Sequence, residues 1–308
     1  MTFWSKIKSG LQNISVFFNG DTKGMTQYRD PISAYQARPK RWIMNVIFLV
    51  LFIGVLIFMS YKIDILSFGD RPINWEYTGR VFKTFFTWDK TFWAYFFGYS
   101  EADGGWAGGV VYNILITFAL TFVATLISFF IGIPFGILAS HRIFGRWAYI
   151  SEVFLILIRT IPEILLALFL IRLSGYHVLT AIIALAFHSI GMIGKLYADQ
   201  IDGVDFGPME ALESAGATKF QQIRLGLMPA VMPNFISVGL YRLDINIRTG
   251  TMLGLIIQQD AGIGWNVLLH FNYGKYQALG ADTLGIVLLI VAVDLFSSFL
   301  RKLILKES

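Results

Sequence analysis

The sequence predicts an all-α integral membrane protein with six transmembrane helices, and three observations carry that prediction. Apolar residues fill 56% of the 308 positions and charged residues only 15%, a balance that a soluble core cannot absorb. Six apolar runs, at 43–61, 110–138, 150–171, 178–196, 227–257 and 283–303, approach or exceed the roughly 20 helical residues that cross a bilayer core about 30 Å thick. Lys and Arg then divide unevenly between the ends of those runs. With the N-terminus inside, fifteen fall on the inner face and seven on the outer, while Arg159, Arg242 and Arg248 lie within the runs. By the positive-inside rule both termini are expected in the cytoplasm. The net charge of +5 follows from this placement and calls for no nucleic-acid partner.

Residues 1–42 are read as a cytoplasmic amphipathic helix and a linker. Trp4, Ile7, Leu11, Ile14 and Phe18 recur at spacings of three and four, one face of a helix, with Lys6 and Lys8 off that face, as on an interfacial helix of the inner leaflet. Residues 19–42 hold Gly, Asp, Pro and Arg without periodicity. The first span, 43–61, follows a long polar stretch and ends in "FMSYKID", unlike a cleaved signal, so it is expected to stay. Residues 62–108 are expected outside, as short interfacial helices rich in Trp and Phe with a Gly-rich turn at "DGGWAGG", since such rings favour the membrane boundary. A core of five spans at 109–303 and a short cytoplasmic tail at 304–308 are expected to follow. No internal repeat is evident.

Between the fourth and fifth spans, the charged stretch "MEALESAGATKFQQIRLGLMP" carries helix punctuation. Pro208 suits a first helical position, Glu210 the third, and Gly216 a left-handed stop. Thr218 and Gln221 have the spacing of a capping box opening a second helix. Helices at about 203–225 outside the membrane are therefore expected. Ala211, Ala215 and Ala217 keep the surface around the turn low, so that another protein can approach the backbone.

The order Glu210-Ala211-Leu212, then Gly216, then Met228-Pro229 resembles the E-A-A…G…I-x-L-P signature of permease subunits of bacterial ATP-binding-cassette importers. Leu212 stands for the second Ala, Gly226 for the Ile and Met228 for the Leu. "RTIPEILLALF", "FHSIGMIGKLYADQID" and "LYRLDINIRTGTMLGL" are similar to the phosphonate-type branch, which imports phosphonates, phosphite or related oxyanions. The likeness runs over about residues 110–300. It implies a type I importer core of five helices, like that of methionine permeases, with one N-terminal helix added. It also implies a second permease copy or a related chain, and two ATPase subunits seated at Glu210, Ala211, Ala215, Gly216, Ala217 and Pro229. An extracellular substrate-binding protein would deliver cargo, and the location would be the bacterial cytoplasmic membrane. ATP and Mg would sit on the partner subunits, with no cofactor on this chain. Where the branch continues into small residues, this chain reads Gln258, Gln259 and Asp260, placed at an outer gate.

A charge at the bilayer centre costs about 2.5–3.5 kcal/mol on insertion scales, so the intramembrane charges need partners or water. Arg159 with Glu163, and Asp244 with Arg248, are spaced to pair along a helix; Arg242 has no acidic residue three or four positions away. Two readings stand: pairs that fix helix packing, or a path tolerable to an anion lined by Arg159, Glu163, His188, Arg242, Asp244, Asn246 and Arg248. Asn113, Thr117 and Ser189 would add polar contacts.

Enzyme chemistry finds little footing. Neither Gly-Lys pair sits in a phosphate loop, no nucleophile elbow occurs, and an enzyme built on Glu163, His188 or Asp244 would lack a matched nucleophile and base. No cysteine is present, and the four histidines lack metal-ligand spacing. The rival expectations are an importer of another small solute, such as methionine, and a channel or ion-driven carrier working without an ATPase.

Overall fold

The computed structural model describes residues 41–63, 74–98, 105–257 and 262–306. The expected N-terminal interfacial helix and Gln258, Gln259 and Asp260 lie outside the described residues. Among those described, every regular element is a helix.

Helix α1 (Arg41–Ile63) forms a unit of its own. No charged residue interrupts it between Arg41 and Lys62, and its side chains from Asn45 to Tyr61 are exposed apart from a half-buried Ser60. A helix apolar all round is what lipid requires.

The second unit begins at Glu76, the second residue of α2 (Trp75–Phe85), and continues through α3 (Lys90–Phe97) and the single turn α4 (Gly105–Gly108). Asp89 caps α3 by accepting from the amides of Thr91 and Phe92 at 2.8 and 3.1 Å, which satisfies two orphan donors of the first turn. Phe92 and Phe96 carry that helix into a buried cluster with Val110, Ile263 and Ala281.

Helices α5 (Val110–Leu138), α9 (Val178–Gly203), α12 (Met228–Ile257) and α14 (Tyr276–Lys306) are each long and apolar enough to cross a membrane. The run expected as one span at 150–171 is instead two helices, α7 (Ala148–Thr160) and α8 (Glu163–Ser174), bent by 81°. Pro162 explains the break. It has no N–H to donate back into α7, and it drives Ile161 out of helical conformation, to φ −80°, ψ 116°. The last span also begins earlier than expected, at Tyr276. Short α6 (His141–Phe144) and α13 (Ile263–Asn272) precede α7 and α14.

At the centre of the bundle, α9 packs on α5, α7, α8 and α12. Small residues make this approach possible, as expected where lipid supplies no hydrophobic drive between helices. A Cβ on Gly191 would lie 2.9 Å from the Leu155 carbonyl and the Arg159 amide, and one on Gly136 2.5 Å from the Tyr197 Cβ. Tyr197 in turn stacks on Phe235 with ring centroids 3.9 Å apart.

Candidate functional site

Two groups of residues stand out, one outside the spans and one at their middle. The first begins where α9 ends. Asp205 accepts from the Gly207 amide at 3.0 Å, and α10 runs from Gly207 to Ser214, one residue earlier than Pro208 alone predicts. Glu210 therefore falls at the fourth helical position, still within the first turn, and is exposed.

The stop is a Schellman motif. The Ala217 amide donates to the Leu212 carbonyl and the Gly216 amide to that of Glu213, with Gly216 at φ +83°. A Cβ at Gly216 would meet nothing within 4 Å, so its constraint is the left-handed backbone and whatever lies outside the chain, not a clash within the turn. Thr218 and Gln221 complete a reciprocal capping box that opens α11 (Lys219–Gln221). A π-helical turn, Gln222–Leu227, then leads into α12, whose second residue is Pro229. That proline offers no N–H to the preceding turn, and π turns recur at functional sites.

Glu210, Ala211, Ala215 and Gly216 are exposed, Ala217 is half-buried, and Pro229 is exposed at the start of α12. Beside them Phe220 is 71% exposed, an apolar ring without a hydrophobic run around it. The opposite side of α10 is anchored by Met209, buried in one cluster with Leu227, Val231, Tyr197 and Phe235.

The second group spans four helices. Arg242 is residue 15 of the 30 in α12, and Ser189 and Thr125 lie near the midpoints of α9 and α5. Arg242 is 2% exposed. Its Nε donates to Ser189 Oγ at 2.9 Å and its Nη2 to His188 Nδ1 at 3.0 Å. Ser189 donates to Asn246 Oδ1 at 3.1 Å, Asn246 Nδ2 to Thr125 Oγ1 at 2.8 Å, and Thr125 to the Thr121 carbonyl at 2.7 Å. Each hydroxyl accepts once and donates once, so the chain is satisfied along its length, which makes a buried network stabilising rather than costly.

Guanidinium has no lone pair to offer, so His188 Nδ1 is the acceptor. In the neutral ring the proton then sits on Nε2, which lies 3.5 Å from Glu163 Oε2. Glu163 is the first residue of α8, placed beside the break by Pro162.

The pairing expected between Arg159 and Glu163 does not form. The bend removes the helical register on which it depended, Glu163 turns to His188, and Arg159 is exposed at the end of α7, without an ion pair among the described residues. Asp244 and Arg248 do meet, Nη2 lying 3.1 and 3.0 Å from the two carboxylate oxygens. Arg248 is 54% exposed and Asp244 16%. Arg242, Asn246, His188 and Glu163 thus belong to one cluster, whereas Arg159 and Arg248 stand on the surface. Asn113 and Thr117 are buried higher on α5, with Thr117 accepting from the Ile263 amide at 2.9 Å. Thr125 escaped the sequence reading because a threonine bonded to its own helix has no local signature, and Phe220 because one apolar residue breaks no pattern.

Residues 132–307 match the family described as binding-protein-dependent transport system inner membrane component. Over 153 residues the chain is 35% identical to the phosphite transport system permease protein PtxC of Stutzerimonas stutzeri, covering 50% of this chain and 55% of that one. It is 36% identical over 153 residues to the phosphate-import permease protein PhnE of Mycolicibacterium smegmatis, covering 49% and 28% respectively. The putative phosphite transport system permease protein HtxC of S. stutzeri is 34% identical over 197 residues, 61% of this chain and 67% of the relative. The chain therefore spans about half or less of the first two relatives. In fold it is similar to the inward-facing MetNI methionine ABC transporter, with a TM-score of 0.55 and 21% identity over 63% of this chain and 95% of that one.

Proposed function

Because the chain belongs to the family of binding-protein-dependent transport system inner membrane components, we propose that it is the permease subunit of an ATP-driven importer for phosphite, phosphonate or a related phosphorus oxyanion. The observation that carries the ATP-driven part is the element Gly207–Gln221: a two-turn helix, a left-handed stop at Gly216 and a second, short helix opened by a capping box. Its outer side presents Glu210, Ala211, Ala215, Gly216 and the Phe220 ring. Small residues around a rigid turn suit close docking, and an exposed aromatic suits a pocket on a partner. The partner is an ATPase subunit, one for each of two permease chains, with ATP and Mg bound there. The Ala217 carbonyl, accepting from Gln222 Nε2 at 2.9 Å, ties the docking turn to the π turn that leads into α12 at Pro229.

Two chains, of like or related sequence, would enclose the path. Exposed charges are costly against lipid, so the surface bearing Arg159, Asp244 and Arg248 faces protein or water. These arginines attract an anion without burying it, and a separate receptor outside the cell supplies affinity. Arg242, with His188, Asn246 and Glu163 around it, holds the helices in register at the level where the anion passes. In this reading both termini are cytoplasmic, as the Lys and Arg bias favours.

The similarity to phosphite permeases at 34–35% identity is what favours phosphorus oxyanions as cargo. The test is ATP hydrolysis by the reconstituted complex with its receptor, in the presence of phosphite, methylphosphonate, phosphate or methionine. Stimulation by one of the first three supports the proposal. Stimulation by methionine alone would keep the importer and replace its cargo.

A further inference from the structure

Helix α6, four residues long, does not cap itself. Its N-cap, Ser140, is fully buried and makes no side-chain capping bond to the helix. The cap comes from 60 residues away. Asp202, in the last turn of α9, accepts from Ser140 Oγ at 2.5 Å and the Arg142 amide at 3.2 Å on Oδ1, and from the His141 amide at 3.3 Å on Oδ2. Both oxygens of one carboxylate are thereby committed to orphan donors of the α6 start, the charge-assisted form of capping.

Arg142 reaches back in the opposite direction. Its Nη1 donates to the Val204 carbonyl at 2.9 Å, and its guanidinium lies 4.6 Å from the centroid of the Phe206 ring. Val204 and Phe206 are the residues that lead into α10, and the Phe206 carbonyl accepts the amides of Met209 and Glu210. A second tie lies about two turns up α9. Glu152, in α7, accepts from Lys195 of α9 at 2.8 Å and meets His141 Nε2 at 3.1 Å. Higher still, Gly191 lets α9 touch the α7 backbone as far as Arg159, two residues before the break.

We infer that Asp202 and Arg142 are positioning residues that join the base of α10 to α6 and α7, so that displacement of α10 by its partner reaches the break at Ile161–Pro162 and hence Glu163. The inference rests on the reading of α10 as the ATPase-docking element. Without Asp202, α6 loses its cap and the 139–148 connection becomes a loose tether; α10 can then move while α7 stays in place.

Hydrogen exchange measured by mass spectrometry on the assembled complex tests this without knowledge of the cargo. In the parent, trapping with ATP and vanadate should change exchange in peptides covering 207–217 and, together with them, 156–166. In Asp202→Ala the change at 207–217 should persist and that at 156–166 should be lost. Asp202→Asn, which retains one acceptor oxygen for Ser140 and Arg142, should recover part of it. Arg142→Ala alters an exposed side chain and should give the same loss, which keeps the test decisive if Asp202→Ala does not assemble.

A parent without a change at 156–166, or an Arg142→Ala complex that keeps it, overturns the inference. So does an Asp202→Ala effect confined to 140–147, which would make the carboxylate a local cap and nothing more. A parent chain that assembles with no ATPase overturns the docking reading instead.

Discussion

The δ1 methyl of Leu212 lies 3.1 Å from the point where Gly226 would carry a Cβ. These are two of the three positions at which the chain departs from the importer signature, a larger residue on α10 and a smaller one in the π turn, and they fill one space. The exchange is compensatory: α10 rests on the π turn at Gly226 through Leu212 and Met209, where the signature's Ile would otherwise stand.

A double-mutant cycle follows from that contact. Gly226→Ile alone overpacks the seat of α10 and should cost about 1–3 kcal/mol. Leu212→Ala alone leaves a gap and should destabilise less, because Leu212 is only half-buried. Together they should recover stability, with a coupling energy of about 0.5–3 kcal/mol, read from thermal unfolding of the purified chain in one detergent. Strict additivity would show that the two side chains do not share the site.

Arg159 and Arg242 should separate cleanly. Arg242→Gln breaks charge-assisted bonds worth about 1.5–3 kcal/mol each and should lower the melting temperature together with uptake. Arg159→Gln changes an exposed side chain and should leave melting near the parent's while uptake of the anion falls. Equal loss of stability in both would mean that Arg159 is structural too.

Asn246 is fully buried and joins Ser189 to Thr125 through one acceptor and one donor. Asn246→Ala leaves the buried Ser189 hydroxyl without its acceptor, while Thr125 still donates to the Thr121 carbonyl, and should cost about 1–3 kcal/mol, seen as a lower melting temperature. Asn246→Asp keeps the acceptor for Ser189 but offers no donor to Thr125 when ionised, and should be destabilised as well.

Much of this was legible in advance, for identifiable reasons. The long helices and the capped turn at Gly216–Gln221 are written in local chemistry, namely apolar run length, a glycine stop and a Thr-x-x-Gln box. Arg159 and Glu163 show the limit of such reading. Their spacing obeys a helical rule, but Pro162 lies between them and prevails, because a missing N–H and a steric clash outweigh a few tenths of a kcal/mol of pairing. The cluster around Arg242 joins residues 25 to 121 positions apart, and nothing local announces such contacts. An arginine without a neighbouring acid marked the place, and its partners came from other helices.

Outside the membrane, Asp89 supplies a pH dependence with a defined sign. The Phe92 amide, followed by those of Thr91 and the Gln277 side chain, holds its carboxyl below the ordinary value of 3.8 against the opposing effect of desolvation. A depressed folded-state pKa contributes stability that is present above the unfolded value and is lost as pH falls through the folded one. The melting-temperature gap between parent and Asp89→Ala should therefore be constant above about pH 5 and close below about pH 4. A gap unchanged at low pH would show that capping by the ionised carboxylate is not its source.

The most direct measurement is to purify the tagged chain from its native membrane in mild detergent, beside Gly216→Val, and to assay ATP hydrolysis in each. Valine has no comfortable conformation at φ +83°, and its side chain points away from the chain toward any docked partner. The parent is expected to bring an active ATPase with it, and the variant to lose both the ATPase and ATP-driven uptake while still inserting in the membrane. A parent that purifies without an ATPase, or a Gly216→Val variant with hydrolysis and uptake at the parent's level, would contradict the assignment of Gly207–Gln221 as the element through which ATP drives transport.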